Sequence, residues 1–374
     1  MQTALMRTVG VEEELLLVDI QTGVPRSVAA RVIERAVAQA TDSGSQDGGA
    51  IEGELQRTMV ETQSSVATDL SLVRDELMSW RRRAASAARQ ANASVAAIAT
   101  SPMPSDGLIS SNARYERMAD RFGVIAHDVL TCGCHVHVGV ESDDEGVAAL
   151  DRIRVWLPVI LALSANSPFS AGRDSGYASY RSQLWARWPS AGPTDRFGTP
   201  QRYHQLLQAM TDSGVLLDDG MVYFDARLSR RYPTVEIRVA DVCVDLEDAL
   251  LVAALCRGLV DTAAAQWRAG QKPPDVATAM LRLATWQAAR DGVDGHLLDW
   301  STMRPAPAAT GIGQLVDHVR GSLFEHGDLA LVEEGLERLG RVGTGATAQR
   351  RMLEKTGQLV DVVAQAVRRT DGRE

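Results

Sequence analysis

The sequence predicts an α+β fold, with a mixed strand-and-helix core to about residue 245 and a helical part over about 246–374. Three observations predict it. Segments of strand character, rich in Val, Leu and Ile, recur at Val9–Val18, Cys132–Val138 and Thr234–Val239. From Leu246 onward, apolar residues return at helical intervals. No linker composition separates the two parts, so residues 1–374 read as one cooperative domain, long enough to bury a large core.

The elements follow in order. Residues 8–19 read as the first strand. Val28, Val32, Ile33, Ala36 and Val37 predict a helix over Ser27–Gln39. Thr41–Gly49 is polar and Gly-rich, which marks a loop. Glu54–Thr62 fits either class. Its spacing puts Glu54 and Glu61 on one helix face, but on opposite strand faces unless a bulge intervenes. Leu70, Val73, Leu77, Trp80 and Ala84 predict a long helix over Asp69–Ser94. Val95–Thr100 reads as a short buried strand, Arg114–Arg121 as a short helix and Thr131–Val140 as a strand. Gly146–Ser164 is an apolar helix, and Asn166–Pro200 a long irregular segment of the kind that is usually functional. Met221–Ala240 reads as a hairpin. Helices are then predicted over Leu246–Arg268, Asp275–Arg290, Gly313–Glu325, Ala330–Leu339 and Thr347–Arg368.

Composition excludes several function classes. A net charge of −9 argues against nucleic acid as the main partner, because phosphate binding needs basic surface. An anionic substrate would need local arginine or metal ions to reverse the field. The longest apolar run, Val155–Ala165, is about half a membrane span and contains Pro158, so no membrane partner is expected. With no leader pattern at the N-terminus and four cysteines suited to reduced, buried thiols, the expected location is cytoplasmic. Cys132-Gly-Cys134 is by itself a weak metal motif. The two lysines, Lys272 and Lys355, both lie outside any Gly-Lys-Ser/Thr context, so any use of ATP does not rest on a P-loop.

The informative residues are charged ones inside apolar strands. Strand residues two apart share a face, which pairs Glu12 with Glu14, His135 with His137 and Glu236 with Arg238. Carboxylates gathered on one face repel and raise one another's pKa, and divalent cations would remove that penalty. Oxygen-rich ligation with one imidazole suits Mg²⁺ or Mn²⁺ better than Zn²⁺. Five glutamates exceed the needs of one Mg²⁺, which points to two or three ions bridging phosphates. One histidine of the pair is then a ligand and the other a buried, hydrogen-bonded residue. The rival for His-Val-His, an amidohydrolase metal pair, needs later His and Asp ligands. His204, His296, His318 and His326 fall in helical or loop contexts that do not supply them.

Cys132-Gly-Cys-His-Val-His-Val-Gly139, Ala165-Asn-Ser-Pro-Phe169, the run from Gly172 to Trp185 and Pro233-Thr-Val-Glu-Ile-Arg-Val-Ala-Asp241 carry a resemblance. It extends from Val9 to Arg350. The chain resembles the bacterial carboxylate–amine ligases of the glutamate–cysteine ligase 2 family, relatives of plant-type glutamate–cysteine ligase and, more distantly, of glutamine synthetase. The resemblance implies a glutamine synthetase/guanidino kinase-like fold: a curved, mostly antiparallel sheet whose concave face holds metals and substrates. It implies that Glu12, Glu14, Glu54, Glu61, His135 and Glu236 hold the metal and that Arg238 binds phosphate, with ATP and Mg²⁺ or Mn²⁺ as cofactors. Small molecules (ATP, an amino acid and an amine) are the implied partners, and a homodimer the assembly it suggests. The chain departs from the family at Ser170, where an aromatic residue is common, and at Trp286-Gln287.

The implied reaction activates a carboxylate, such as the γ-carboxylate of glutamate, as an acyl phosphate that an amine then attacks. Glu236 and Arg238 carry that chemistry, with Arg227 assisting from the neighbouring strand. Arg181 is a candidate for the amino-acid carboxylate, with an ion pair stapling the long loop as its equal alternative, and Arg114 is a weaker candidate of the same kind. Two other readings remain: a guanidino-kinase-like phosphotransferase and a non-catalytic metal- and nucleotide-binding regulator.

Overall fold

Ten consecutive residues, Val9–Val18, alternate between two buried faces and form the central strand β1. A computed structural model describes residues 6–42, 49–105 and 107–372. Around β1 lie β2 (Ala50–Gly53), β3 (Met59–Gln63), β4 (Ser94–Ala96), β5 (Gly133–Gly139), β6 (Ala226–Leu228) and β7 (Thr234–Asp241). Together they form a seven-stranded sheet in the order β2-β3-β1-β5-β7-β6, with β4 also paired to β1. All of these pairings are antiparallel.

Helices cover the face to which Val9, Val11, Glu13 and Leu15 point. The helix Leu70–Gln90 buries Leu70, Val73, Leu77 and Trp80, and Asp69 caps its start by accepting from Ser71 N–H. The helix Leu246–Arg268 is buried almost throughout and packs against β1, β5 and β7. Glu13 lies inside this layer, and both it and Arg81 are 0% exposed. Arg81 Nε and Nη2 donate to the two Glu13 oxygens at 2.8 and 2.5 Å, and the other guanidinium bonds go to the carbonyls of Val244 and Cys243. The pair thus ties β1 to the long helix and to the chain leaving β7.

Several predicted elements appear with altered bounds. The apolar stretch 146–164 is two helices, Asp143–Ile153 and Leu157–Ser164, because Pro158 lacks the N–H that would continue the first and instead sits in the opening turn of the second. The last predicted helix is also two, Gly345–Thr356 and Leu359–Thr370. Gly357, with φ of 72°, takes the left-handed conformation that ends the first of them. The C-terminal part is not purely helical, since His296–Asp299 and Arg304–Pro307 pair as a small hairpin. The helix Ala29–Asp42 runs past its predicted end; the rest of the expected 41–49 loop lies largely outside the described residues.

The irregular segment after Asn166 is fastened to the end of β7. Asp241 accepts from Asn166 N–H at 2.9 Å, Ser167 Oγ at 2.7 Å and Ser179 Oγ at 2.8 Å. Gln349 Nε2 donates to Asn166 Oδ1 at 2.7 Å, which brings the C-terminal helices to the same point.

Arg81→Met leaves the Glu13 carboxylate buried without a partner. A loss of roughly 3–5 kcal/mol is expected in urea unfolding. A loss of less than about 1 kcal/mol, the scale of an exposed pair, would show that the clamp is dispensable.

Candidate metal and active site

The site is built by strand register. Pairing sets Glu14 opposite Glu61 and Glu12 opposite His135. It also sets His137 opposite Glu236, and Glu236 opposite Arg227. Directly opposed residues stand side by side on one face, so these side chains form a row across β3, β1, β5, β7 and β6. A register shift between Cys134 and Val136 frees His135 from direct pairing with β7. Gly133 makes room there, since a Cβ at that position would run into the Arg181 guanidinium. Its N–H donates to Glu14.

Glu54 and Glu61 are brought together by neither a helix nor a bulged strand. Glu61 lies on β3, and Glu54 sits in the connection between β2 and β3. Ser110 Oγ donates to the Glu54 carbonyl at 2.6 Å and holds that connection.

The row forms three overlapping triads: Glu12, Glu61 and His135; Glu12, His137 and Glu236; Glu14, Glu54 and Glu61. Within each, one ligand atom per residue lies within 4.8 Å of the others. Above them is a cavity of about 570 Å³. All six predicted metal residues line it, as do Arg114, Arg227 and Arg238.

Burial and mutual repulsion act on the acids. Burial, then the Glu14 charge, pushes Glu54 up to about 7. Burial and the charges of Glu54, Glu12 and Glu14 hold Glu61 well above the ordinary value. Burial also raises Glu12, but the adjoining rings of His135 and His137 outweigh it and keep Glu12 well below the usual carboxylate range. For Glu236, burial is outweighed by the charges of Arg238 and Arg227. Burial and Arg238 lower His135, which favours a neutral imidazole able to donate a lone pair.

This donor set fits divalent cations. Its strongest sign is His137, whose Nδ1 lies 3.0 Å from Thr234 Oγ1. Its Nε2 is buried and makes no hydrogen bond, although Glu12 Oε1 is 3.2 Å away. A ring fixed at one nitrogen, with the other aimed into a carboxylate cluster, is the arrangement of a metal-ligating histidine. Sequence reasoning assigned one histidine of the pair as ligand; the structure sets both against carboxylates. The signal was present, since His-Val-His alternation already put them on one face.

The arginines divide. Arg227 Nε donates to Glu236 Oε2 at 2.7 Å, and Arg238, 9% exposed, donates to Glu236 Oε1. Arg114 lines the cavity and is held by both Asp218 oxygens at 2.7 and 2.9 Å. Arg181 does not reach the main cavity. It is 2% exposed, and its Nη atoms lie 3.3 Å from the carbonyls of Val239 and Arg238, with Asp241 at 4.0 Å. Arg230, Arg231 and Tyr232 also line the cavity, and Tyr232 stands edge-on to His137 at 6.2 Å. They follow β6 in a turn whose direction the sequence did not indicate.

Comparison with known proteins gives the family and the fold. The family model described as glutamate–cysteine ligase family 2 matches residues 8–367. "Putative glutamate–cysteine ligase 2-1" of Streptomyces avermitilis is 53% identical over 98% of this chain and 100% of its own length. "Putative glutamate–cysteine ligase 2" of Streptomyces coelicolor is also 53% identical, over 98% of this chain and 99% of its own. Among solved structures, glutamate–cysteine ligase of Francisella tularensis, in complex with AMP, superposes with a TM-score of 0.71 at 11% identity, covering 100% of this chain and 90% of that one. A bifunctional glutathione synthetase of Pasteurella multocida superposes at 0.68 and 13% identity, over 98% of this chain and 52% of that one. Fold, site and relatives together define an enzyme of the ligase class, a carboxylate–amine ligase like glutamate–cysteine ligase. The chain belongs to glutamate–cysteine ligase family 2.

Two expectations follow from the raised acids. Without metal, folded Glu54 and Glu61 hold protons that the unfolded chain has released. Stability from Glu54 is therefore full below about pH 4.5 and falls as pH rises through about 7, and Glu61 acts in the same direction. Mg²⁺ must displace those protons, so the melting-temperature gain on adding it should be larger near about pH 8 than near about pH 5. Scanning calorimetry at both pH values checks this, and equal gains would refute it. Glu61→Gln removes one repelling charge. In the metal-free protein it should raise stability at alkaline pH, by about 1 kcal/mol, while abolishing the Mg²⁺ gain. A destabilised metal-free variant would mean that Glu61 serves the fold.

Proposed function

We propose that the protein is an ATP-dependent ligase that activates a carboxylate as an acyl phosphate and joins it to an amine. The γ-carboxylate of glutamate is the preferred donor and cysteine the reference acceptor, with ADP and phosphate released. The observation that carries this reading is the set of three overlapping triads placed beside two arginines on one sheet face.

The triads of Glu12, Glu14, Glu54, Glu61, His135, His137 and Glu236 would hold Mg²⁺ or Mn²⁺, which offsets the charge of the ATP phosphates. Arg238 stabilises charge on the transferred phosphoryl group, and Arg227 assists from the adjacent strand. Their planar forks suit phosphate oxygens. Arg114, fixed by Asp218 at the cavity wall, is better placed to take an amino-acid carboxylate than the buried Arg181. Arg181 instead anchors the segment after Asn166 to β7. Small molecules are therefore the partners this reading calls for. Four free buried thiols suit a cytoplasmic setting, and no described helix is long and apolar enough to cross a membrane.

Glu236→Gln should abolish phosphate release from Mg-ATP in the presence of glutamate and an amine. Because Arg227 and Arg238 lose their shared counter-charge, it should also cost about 1–3 kcal/mol in urea unfolding. Mass spectrometry of the wild-type reaction should show an amide. A phosphorylated amine without free phosphate would replace the ligase reading with a phosphotransferase.

A further inference from the structure

The metal cavity is lined by Arg114, Arg227, Arg230, Arg231 and Arg238. All but one of these are committed to acids. Arg114 is held by Asp218, Arg227 and Arg238 share Glu236, and Arg230 Nη2 lies 2.7 Å from Asp219 Oδ1. Arg231 differs. Among the described residues, no acid pairs with its guanidinium and no acceptor takes a hydrogen bond from it.

An exposed arginine is ordinarily a solvated side chain. The turn that carries Arg231, between β6 and β7, gives it a more specific setting. Ser229 N–H donates to the Thr234 carbonyl at 2.9 Å, and Thr234 N–H to the Tyr232 carbonyl at 2.7 Å. On one side, the Arg230–Asp219 pair fastens the turn to a second stretch of cavity wall, where Asp218 holds Arg114. The two guanidiniums converge on Gly220. A Cβ there would stand 3.0 Å from Arg114 Nη2 and 3.1 Å from Arg230 Nη1, so glycine leaves room for both. On the other side, the turn meets the metal row. Thr234 Oγ1 lies 3.0 Å from His137 Nδ1, and Tyr232 stands edge-on to the same ring at 6.2 Å. His137 belongs to the triad with Glu12 and Glu236. Arg231 therefore sits on a turn braced from both sides, next to that triad. Arg227 and Arg238 already share a single carboxylate there, so Arg231 adds to a surplus of positive charge around Glu236.

We propose that Arg231 is a substrate-binding residue, taking an oxyanion of a substrate seated over the triad of Glu12, His137 and Glu236. The proposal rests on the ligase reading for the identity of that substrate. The oxyanion is a phosphate of the nucleotide that is not transferred, or the carboxylate of an amino-acid substrate. A planar guanidinium fork matches either, with two parallel hydrogen bonds. Arg227 and Arg238 serve the phosphoryl group that moves, while Arg231 holds a part of the substrate that stays in place.

The test compares wild type, Arg231→Ala and Arg231→Lys. Arg231 is exposed, so neither variant should shift the melting temperature. Hydroxamate formation from Mg-ATP, glutamate and hydroxylamine yields KM for the nucleotide and for glutamate, with an acceptor that has no carboxylate. Amide formation with cysteine adds the KM of an acceptor that has one. In Arg231→Ala one of these KM values should rise about tenfold or more, as for loss of a hydrogen bond to a charged group. Arg231→Lys keeps the charge but loses the fork, and its value should fall between the other two. A rise for ATP identifies a phosphate. A rise for glutamate in the hydroxamate reaction identifies the donor's carboxylate, and a rise confined to cysteine the acceptor's. Unchanged KM values for all of them in Arg231→Ala overturn the proposal and leave the ligase reading standing. If wild type forms neither hydroxamate nor amide, the ligase reading fails. Calorimetric titration of Mg-ATP and of glutamate into wild type and Arg231→Ala then decides the role of Arg231 by itself: weaker binding of either in the variant supports it, and equal affinities overturn it.

Discussion

Everything at the site depends on the register of β1. Three consecutive glutamates make alternation ambiguous, since a one-residue slip would still put a carboxylate on either face. Arg81 removes the ambiguity. It offers the interior one fixed fork, and only the middle glutamate can meet it from the helix-covered face. Once Glu13 is locked there, Glu12 and Glu14 must face the cavity. They stand beside the residues that β3 and β5 bring to them. The buried ion pair therefore specifies geometry, whatever its net contribution to stability.

The opposite face is organised by repulsion. Glu14, Glu54 and Glu61 crowd into one triad with no guanidinium in it, and two of them are held above their ordinary ionisation range. At the other end of the row, Glu236 is neutralised by two arginines. The face thus runs from an electron-rich end, lacking cations, to a cationic end. A polyanionic substrate would meet arginine at one end and need metal at the other. Beside the row, Asp241 gathers three hydrogen bonds that fasten the segment after Asn166 to the end of β7.

Much of this was legible in the sequence. Alternation placed Glu12 with Glu14, His135 with His137 and Glu236 with Arg238, and the strands keep those pairs together. Most long helices appeared within a few residues of their predicted bounds, because apolar periodicity is a strong signal. What escaped has physical causes. Glu54 and Glu61 meet through the link between β2 and β3, which no single period describes. The hairpin at 296–307 carries Pro305 and Pro307, which a two-stranded ribbon tolerates but which mask its strand character. Periodicity also ran on past Gly357, where one backbone angle ends the helix. Motif position left Arg181 open between a substrate ligand and a staple of the long loop, because it says nothing of depth; the side chain lies buried against β7.

The triads share members: Glu12 belongs to two of them, and so does Glu61. If each triad holds an ion, a change at either residue would be felt at two ion positions at once, and the site would have no separable parts. Ions could not then be gained or lost one by one through these two residues, whereas Glu54 or His137, each in a single triad, would leave room for gradual retuning. The topology of sharing, more than the strength of any one contact, sets which positions evolution can explore.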